Sequence, residues 1–379
     1  MTLPRPLRHL ALPLALTVIG TFFALREPAF LGSRNLTQLI VEFSITGTLA
    51  LGMFLILLTG QIDLSAGSGV GLIGGIAAVL VFQQSWPAPA ALLTAFIAAL
   101  LLWTLMGALI VRQRIPSFII TLGGLLIFKG LFWLVIQNST IPVARGDQEN
   151  IYSLLTTYHL PAPTGWLLGL ALAAGLGWLT WRKRIARSAY GWPLPSIARA
   201  LSTWLAITTA LFALITVCNH FRGVPFSLLI LSATAGSVFF LTQHTPFGRH
   251  LYAIGGNEEA AALSGIAVHR VMTGAYLLMG ITVALTGFMT TAYSGASTTT
   301  VGDLMELDAI AACVIGGTAL RGGRGSVGGV IGGALIMTAL LNGMTLLAVS
   351  PEFKFIARGT VLALAVWLDV KLSARASKH

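Results

Sequence analysis

The chain has 379 residues, of which 56% are apolar and only 9% charged, where soluble domains carry roughly 25% charged residues. With a mean hydropathy of +0.85 it has too little charge to clothe a water-exposed surface, so a soluble globular protein is excluded and lipid is its solvent. The net charge of +11 does not point to nucleic acid, because the basic residues stand in short segments between apolar runs, as in cytoplasmic membrane loops.

Arg5 and Arg8 precede an apolar stretch from Leu10 to Leu25. It has the outline of a signal peptide, but no small-x-small cleavage site closes it and Arg26-Glu27-Pro28 follows, so it reads as a retained first span, 10–25. Apolar runs near the length needed to cross a bilayer then recur at 36–58, 65–83, 90–111, 116–137, 165–181, 201–218, 225–243, 271–293, 307–320, 327–348 and 353–370. The expected fold is an all-α polytopic membrane protein of about twelve transmembrane helices, residues 1–379 forming one membrane domain without a soluble appendage. The run at 307–320 is short and starts beside Glu306 and Asp308, which predicts a re-entrant or broken helix there.

With the N-terminus inside, the outside loops hold only Arg26, Arg34, Arg145 and Arg222, while Lys129, Lys354 and Arg358 fall within spans. The rest of the 23 Lys and Arg are cytoplasmic, including the cluster Arg182, Lys183, Arg184, Arg187 and Arg199, so both termini are placed in the cytoplasm. The outside loops collect Glu27, Asp147, Glu149, Asp303 and Glu306 instead. The inside loop 182–200, which also contains Trp192-Pro193 and Pro195, and the outside loop 138–164 are both too short to be domains.

Glycine is concentrated near 67–75 and 316–333, where the segments from Gly67 to Gly75 and from Gly325 to Gly333 share a G-S-x-x-G-x-I-G-G frame. Small residues at this spacing let helices pack closely in lipid. The repetition also suggests duplicated halves, in parallel or, if 307–320 is re-entrant, inverted.

Polar groups inside spans are functional candidates by default. Glu42, Lys129, Asp308 and Arg358 lie in the outer parts of their spans, where a vestibule or mutual pairing would stabilise them, and snorkelling serves equally for the two cations. Asp63, before Leu64-Ser65, suits a helix cap better than a substrate contact, and Asn342 suits helix packing. Cys218 and Cys313 sit in apolar runs, which excludes a disulfide framework and a CxxC metal site. All seven histidines, His9, His159, His220, His244, His250, His269 and His379, fall in loops or at termini, so no membrane-buried Ser-His or His-metal centre is expected. The reading is of a protein that is no enzyme and carries no metal or cofactor.

The cytoplasmic loop 244–270 contains Asn257, a good N-cap, then Glu258 and Glu259 at the positive end of a helix dipole, a small apolar body from Ala260 to Leu263, and Ser264-Gly265 as a stop. This predicts a helix of about two turns, suited either to a groove of another protein or to rest on its own bundle.

The segment Tyr252 to Ile266, YAIGGNEEAAALSGI, resembles the coupling helix of permeases from ribose, galactose and xylose ABC importers. Gly60 to Ser68 resembles their G-x-IDLS-x-GS signature, Ile115 to Gly123 their V/I-P-S-F-I-x-T-L-G signature, and Glu306 to Thr318 completes a set that runs in family order from about 36 to 370. The pair of runs at 165–181 and 201–218 resembles the xylose branch and is absent from shorter ribose-type permeases. Arg321 and Arg324 depart from the family in a Gly-rich turn that is usually less charged.

The resemblance implies a type II ABC importer-like permease of the inner membrane, with a pair of ATP-binding subunits below it and a periplasmic sugar-binding protein above. Gly255, Gly256, Asn257, Glu258, Ala260, Ala261, Leu263, Ser264 and Gly265 would couple to the ATPase, and Glu42, Asp63, Ser65, Asp308 and Asn342 are substrate-path candidates. One coupling segment against two ATPase grooves implies a homodimer, with pairing beside a second permease chain as the alternative. No G-x-x-x-x-G-K-[ST] loop occurs, so ATP is handled by the partners. Another pentose or a hexose is the alternative cargo; an ion-driven secondary carrier is the rival class, though it needs no ATPase-docking helix.

The charge asymmetry predicts that a cysteine at position 190 is shielded from an impermeant thiol reagent in intact cells, whereas one in the 138–164 loop reacts. Labelling at 190 from outside would overturn the orientation.

Overall fold

The computed structural model describes residues 5–144, 149–194 and 196–376; Arg145, Asp147, Pro195, Lys378 and His379, which enter the sequence reading, lie outside these. Without water to satisfy backbone N–H and C=O groups, an apolar run in lipid closes its hydrogen bonds within itself as a helix. The first five runs do so as α1 (Arg5–Arg26), α2 (Ser33–Leu58), α3 (Ala66–Phe82), α4 (Ala88–Gln113) and α5 (Ser117–Ile136). A short α6 (Ile151–Thr157) interrupts the long loop, followed by α7 (Ala162–Ala189), α8 (Ile197–Asn219) and α9 (Phe226–His244). Two loop helices, α10 (Pro246–Gly256) and α11 (Glu258–Leu263), precede α12 (Val268–Ser294), α13 (Met305–Ile315), α14 (Val327–Leu346) and α15 (Pro351–Ala376). Pro116, Pro161, Pro225, Pro246 and Pro351 all stand at helix starts, where a missing N–H leaves nothing unpaired.

Eight of these helices, α2, α4, α5, α7, α8, α9, α12 and α14, are long and apolar enough to cross a membrane. The architecture is thus all-α and polytopic, but not every apolar run is a full span. At 1.5 Å per residue α3, with 17 residues, is about 25 Å long and α13, with 11 residues, about 16 Å, against a hydrocarbon core of about 30 Å. The run expected at 307–320 therefore becomes a half-length helix that ends at Ile315. Gly316-Gly317 stops it, and Gly317, Gly322 and Gly323 take left-handed backbone angles in the turn leading to α14.

The central post is α2, whose side chains from Leu49 to Leu58 are all buried. Around it pack α9, α12, α13 and α14, while α3 is held between α4, α5 and α12. Close approach depends on absent side chains. A Cβ on Gly52 would run into Thr282 of α12, one on Gly74 into Gly287 and Thr291 of the same helix, and one on Gly333 into the Ala312 carbonyl of α13. The two G-S-x-x-G-x-I-G-G frames thus both serve packing. They also run the same way: α3 climbs beside α12, with Gly74 at Gly287, and α14 runs from the Phe54 end of α2 at Gly325 to the Asn35 end at Asn342. Since α2 and α12 are antiparallel, with Gly52 at Thr282 and Glu42 at Tyr293, both frames point in one direction.

Outside the bundle, Ile141–Pro142 pairs with Ala296–Ser297 and His159–Leu160 with Val224–Pro225, so two antiparallel strand pairs tie the 138–164 loop to neighbouring helix ends.

Two glycines in one frame separate packing from local propensity. Gly333→Ala forces a carbonyl to move and is expected to cost about 1–3 kcal/mol, while Gly328→Ala, with nothing within 4 Å of the new methyl, is expected to be tolerated. Thermal unfolding of the two purified variants in detergent is the measurement; equal loss in both would contradict this packing.

Candidate functional site

The segment Thr59–Ser65 between α2 and α3 is non-helical, and it does not lie at the bundle's edge. Val70, one turn into α3, sits against Gly287 of α12, two turns short of that helix's end at Ser294. So α3 begins inside the bundle. The loop before α13 folds back to the same depth: a Cβ on Gly67 would meet the Gly302 carbonyl and the Glu306 carboxylate. The first turns of α3 and α13 therefore converge on Asp63, Ser65, Gly67 and Glu306.

Asp63 is fully buried. Its Oδ1 accepts from Ser65 N at 2.8 Å and Ser65 Oγ at 2.6 Å, and its Oδ2 from Trp103 Nε1 at 2.7 Å. This is a local turn that starts α3, in keeping with the capping role, although Asp63 stands two residues before the helix cap at Ser65. Ile62 donates its N–H to Ser117 Oγ and accepts from Thr121 Oγ1, both at 3.2 Å. The IDLS and PSFIIT motifs, far apart in the chain, thus form one brace across α2, α3 and α5.

Asp308 lies one turn into α13. Its Oδ1 is 3.1 Å from Arg358 Nε of α15, an ion contact without hydrogen-bond alignment. Lys129 pairs with Asp303 and donates to the Thr299 carbonyl at 2.8 Å. Lys129 and Arg358 are thus both ion-paired, while Lys354 donates to Thr345 Oγ1 at 3.1 Å.

Towards the start of α2, Glu42 accepts from Tyr293 Oη at 2.9 Å and Asn342 Nδ2 at 3.1 Å, and Asn342 Oδ1 accepts from Asn35 at 2.9 Å. Asn342 is hence part of a four-residue polar network joining α2, α12 and α14. Next to it opens a cavity of about 280 Å³ lined by Arg34, Gln38, His159, Arg222 and Tyr293 among others. Its wall is mostly apolar, with the polar side chains of Arg34, Gln38, Arg222 and Tyr293 set into it.

The loop 244–270 is at the other end of α2. Asn257 caps α11 by accepting from Ala260 N at 2.9 Å, and Gly265 adopts φ +83° as the stop, as expected. The orientation differs from expectation at Ala261, which turns inward and is 4% exposed, while Leu263 is 91% exposed; Ala260, Ala262 and Ser264 also face outward. With Glu258, Glu259 and Ala262, Arg114 and His269 line a cleft of about 730 Å³. The preceding α10 was not anticipated, though Thr245-Pro246 signals it: Thr245 Oγ1 accepts from Gly248 N at 3.3 Å. At the end of α10, Gly255 lies on the Leu58 carbonyl and the Gly322–Gly323 backbone. Gly323 N donates to Leu58 O at 3.0 Å, and Tyr252 Oη to Gly325 O at 3.1 Å.

Among the sequence candidates, the structure brings Asp63 to Ser65 and Glu42 to Asn342, and ties Asp308 to Arg358. Sequence reading missed Trp103 and Tyr293, whose partners are 40 and 251 residues away; the only signal was an aromatic donor inside an apolar run. Among the described residues no group of three or more metal-ligating side chains occurs.

Residues 35–366 match the family described as "Branched-chain amino acid transport system / permease component". The chain is 38% identical over 357 residues, 94% of its length and 90% of the relative's, to the xylose transport system permease protein XylH of Escherichia coli (strain K12). It is 36% identical over 358 residues, 94% of each, to XylH of Haemophilus influenzae, and 32% identical over 362 residues, 94% of its length and 92% of the relative's, to the ribose import permease protein RbsC of Escherichia coli (strain K12). No solved structure matches it.

The arrangement at Asp63 predicts a non-additive pair. Asp63→Asn turns an amide donor towards the Trp103 N–H and is expected to cost about 1–3 kcal/mol. Trp103→Phe should then cost less in the Asp63→Asn background than in the wild type. Thermal stability of the four proteins measures it; additive losses would show that the two side chains do not share a bond.

Proposed function

The chain belongs to this permease family, and from that premise we propose that it is the membrane-spanning subunit of an ATP-driven importer that carries D-xylose across the inner membrane. It is a transport protein and not an enzyme. The observation that carries the choice of sugar is the likeness of 36–38% over 94% of the chain to proteins named as xylose permeases, ahead of the 32% to a ribose permease. The family description names branched-chain amino acids, but these relatives are named for sugars.

In this reading residues 1–379 form one type II importer-like domain of about twelve membrane helices, with the segment 165–218, which takes in most of α7 and α8, as an extra pair and 244–270 as the coupling loop. Both termini face the cytoplasm, as the basic loops favour. A periplasmic binding protein delivers sugar to the cavity beside Arg34 and Tyr293, and the path continues past Glu42 and Asn342 towards the meeting point of α3 and α13. Broken helices converging within a bundle are how many transporters build their sites, which supports this route. Asp63, Ser65 and Asp308 then act chiefly by holding the broken segments in shape.

A pair of ATP-binding subunits engages the outward side of α11, with Leu263 as the protruding apolar anchor and Gly255 to Gly265 as the docking segment. One such segment per chain and two ATPase subunits call for a homodimer, sealed by lipid. ATP can shift the membrane part between states only through contacts that differ between them. The seat of Gly255 on Leu58 and on the Gly322–Gly323 turn supplies a direct mechanical path from α10 to α2, α13 and α14.

The test is reconstitution with the cognate ATPase and binding protein. D-xylose uptake should require ATP and both partners, and Leu263→Glu should expose a charge to the docking groove and abolish sugar-stimulated hydrolysis with insertion intact. Ala261→Glu should instead destabilise the chain itself. Uptake driven by a proton gradient alone, or full stimulation in Leu263→Glu, would refute the mechanism; uptake of ribose in place of xylose would refute the substrate.

A further inference from the structure

The pair α7 and α8 packs chiefly on itself, with α8 alone making a substantial contact to α2. At one level the two helices close tightly: Trp204 Nε1 donates to Ala173 O at 3.0 Å, and a Cβ on Gly177 would come within 3.3 Å of that indole nitrogen. Beyond this level they part around a groove of about 490 Å³. Its deep end is Gly177, Leu201 and Trp204, and its shallow end is Lys183, Arg184 and Arg187.

This gradient has a fixed relation to the bilayer. With 28 residues, α7 is about 42 Å long, some 12 Å more than the hydrocarbon core, so the turn bearing Lys183 to Arg187 stands in the headgroup layer. Apolar wall lies where acyl chains are and cationic rim where phosphates are. No Asp or Glu occurs from Ile151 to Gly256, so the local sequence brings no carboxylate to this rim. Basic pockets between membrane helices are suited to acidic lipid headgroups.

We propose that the groove between α7 and α8 is a binding site for an acidic phospholipid such as cardiolipin, its phosphates on Lys183, Arg184 and Arg187 and an acyl chain against Leu201 and Trp204. A zwitterionic lipid fits the wall but brings no net charge to the rim.

Native mass spectrometry of the purified full chain, titrated with cardiolipin and with phosphatidylcholine, tests it. Cardiolipin should be retained at one equivalent per chain and phosphatidylcholine lost. Each of Lys183→Gln and Arg187→Gln should weaken cardiolipin about fivefold, and the two together about 25-fold. Arg182→Gln is the control, since Arg182 turns away to lie 6.0 Å over the Trp178 ring, and it should bind as the wild type does. Equal retention of the two lipids by the wild type overturns the proposal without any variant. So does unchanged affinity in the double variant, displacement of cardiolipin by equimolar inorganic phosphate, or disulfide pairing of two copies through a cysteine at 181 with no lipid retained.

Discussion

Seven residues of non-helical backbone, Thr59 to Ser65, lie within a bundle that lipid surrounds, and each hydrogen bond they give up as a helix has to be replaced by protein. The replacements come from every side. Gly323 donates to Leu58, Ser117 and Thr121 bracket Ile62, and Asp63 gathers Ser65 and Trp103. Irregular backbone at this depth is costly wherever it serves no purpose, so these partners mark the segment as the place where the fold departs from a plain bundle. The arrangement of α3, α5 and α13 follows from satisfying it.

The same junction explains the glycines. A carbonyl can meet a neighbouring N–H across two helices only if no Cβ stands between them. Gly60, Gly255, Gly322 and Gly323 make one backbone-to-backbone contact that joins the ends of α2, α10 and α13. Packed elements with no flexible side chain between them transmit displacement with little loss, because interiors are close-packed and hardly compressible. The loop helix and the broken segment are therefore neighbours in a mechanical sense, although residues 58, 255 and 323 are far apart in the chain.

Much of this was legible in the sequence. Lipid leaves the chain one way to satisfy its backbone, so apolar runs become helices; Asn257 and Gly265 bound α11 because caps are local chemistry. Depth and facing were not legible. The short run at 307–320 does predict a broken helix, and Gly316-Gly317 mark its stop, but the depth at which it begins depends on where Gly302 meets Gly67. Ala261 faces inward because α11 lies on its own core, which a composition of small residues leaves open. Ion pairs such as Lys129 with Asp303 join residues 174 apart, beyond the reach of any local pattern.

The disposition of the carboxylates bears on what drives transport. An ion-coupled carrier needs acids that exchange partners as ions come and go. Here Asp63 is enclosed by two side-chain donors and a backbone amide, Asp308 faces Arg358, and Glu42 is held by Tyr293 and Asn342. Groups fixed in this way act as fasteners, and releasing them would expose several buried donors at once. Under the proposed coupling to an ATPase, the free energy for movement enters at the outward side of α11, where the exposed Leu263 stands beside two glutamates that line a cleft, and where the preceding α10 meets the end of α2 through Gly255.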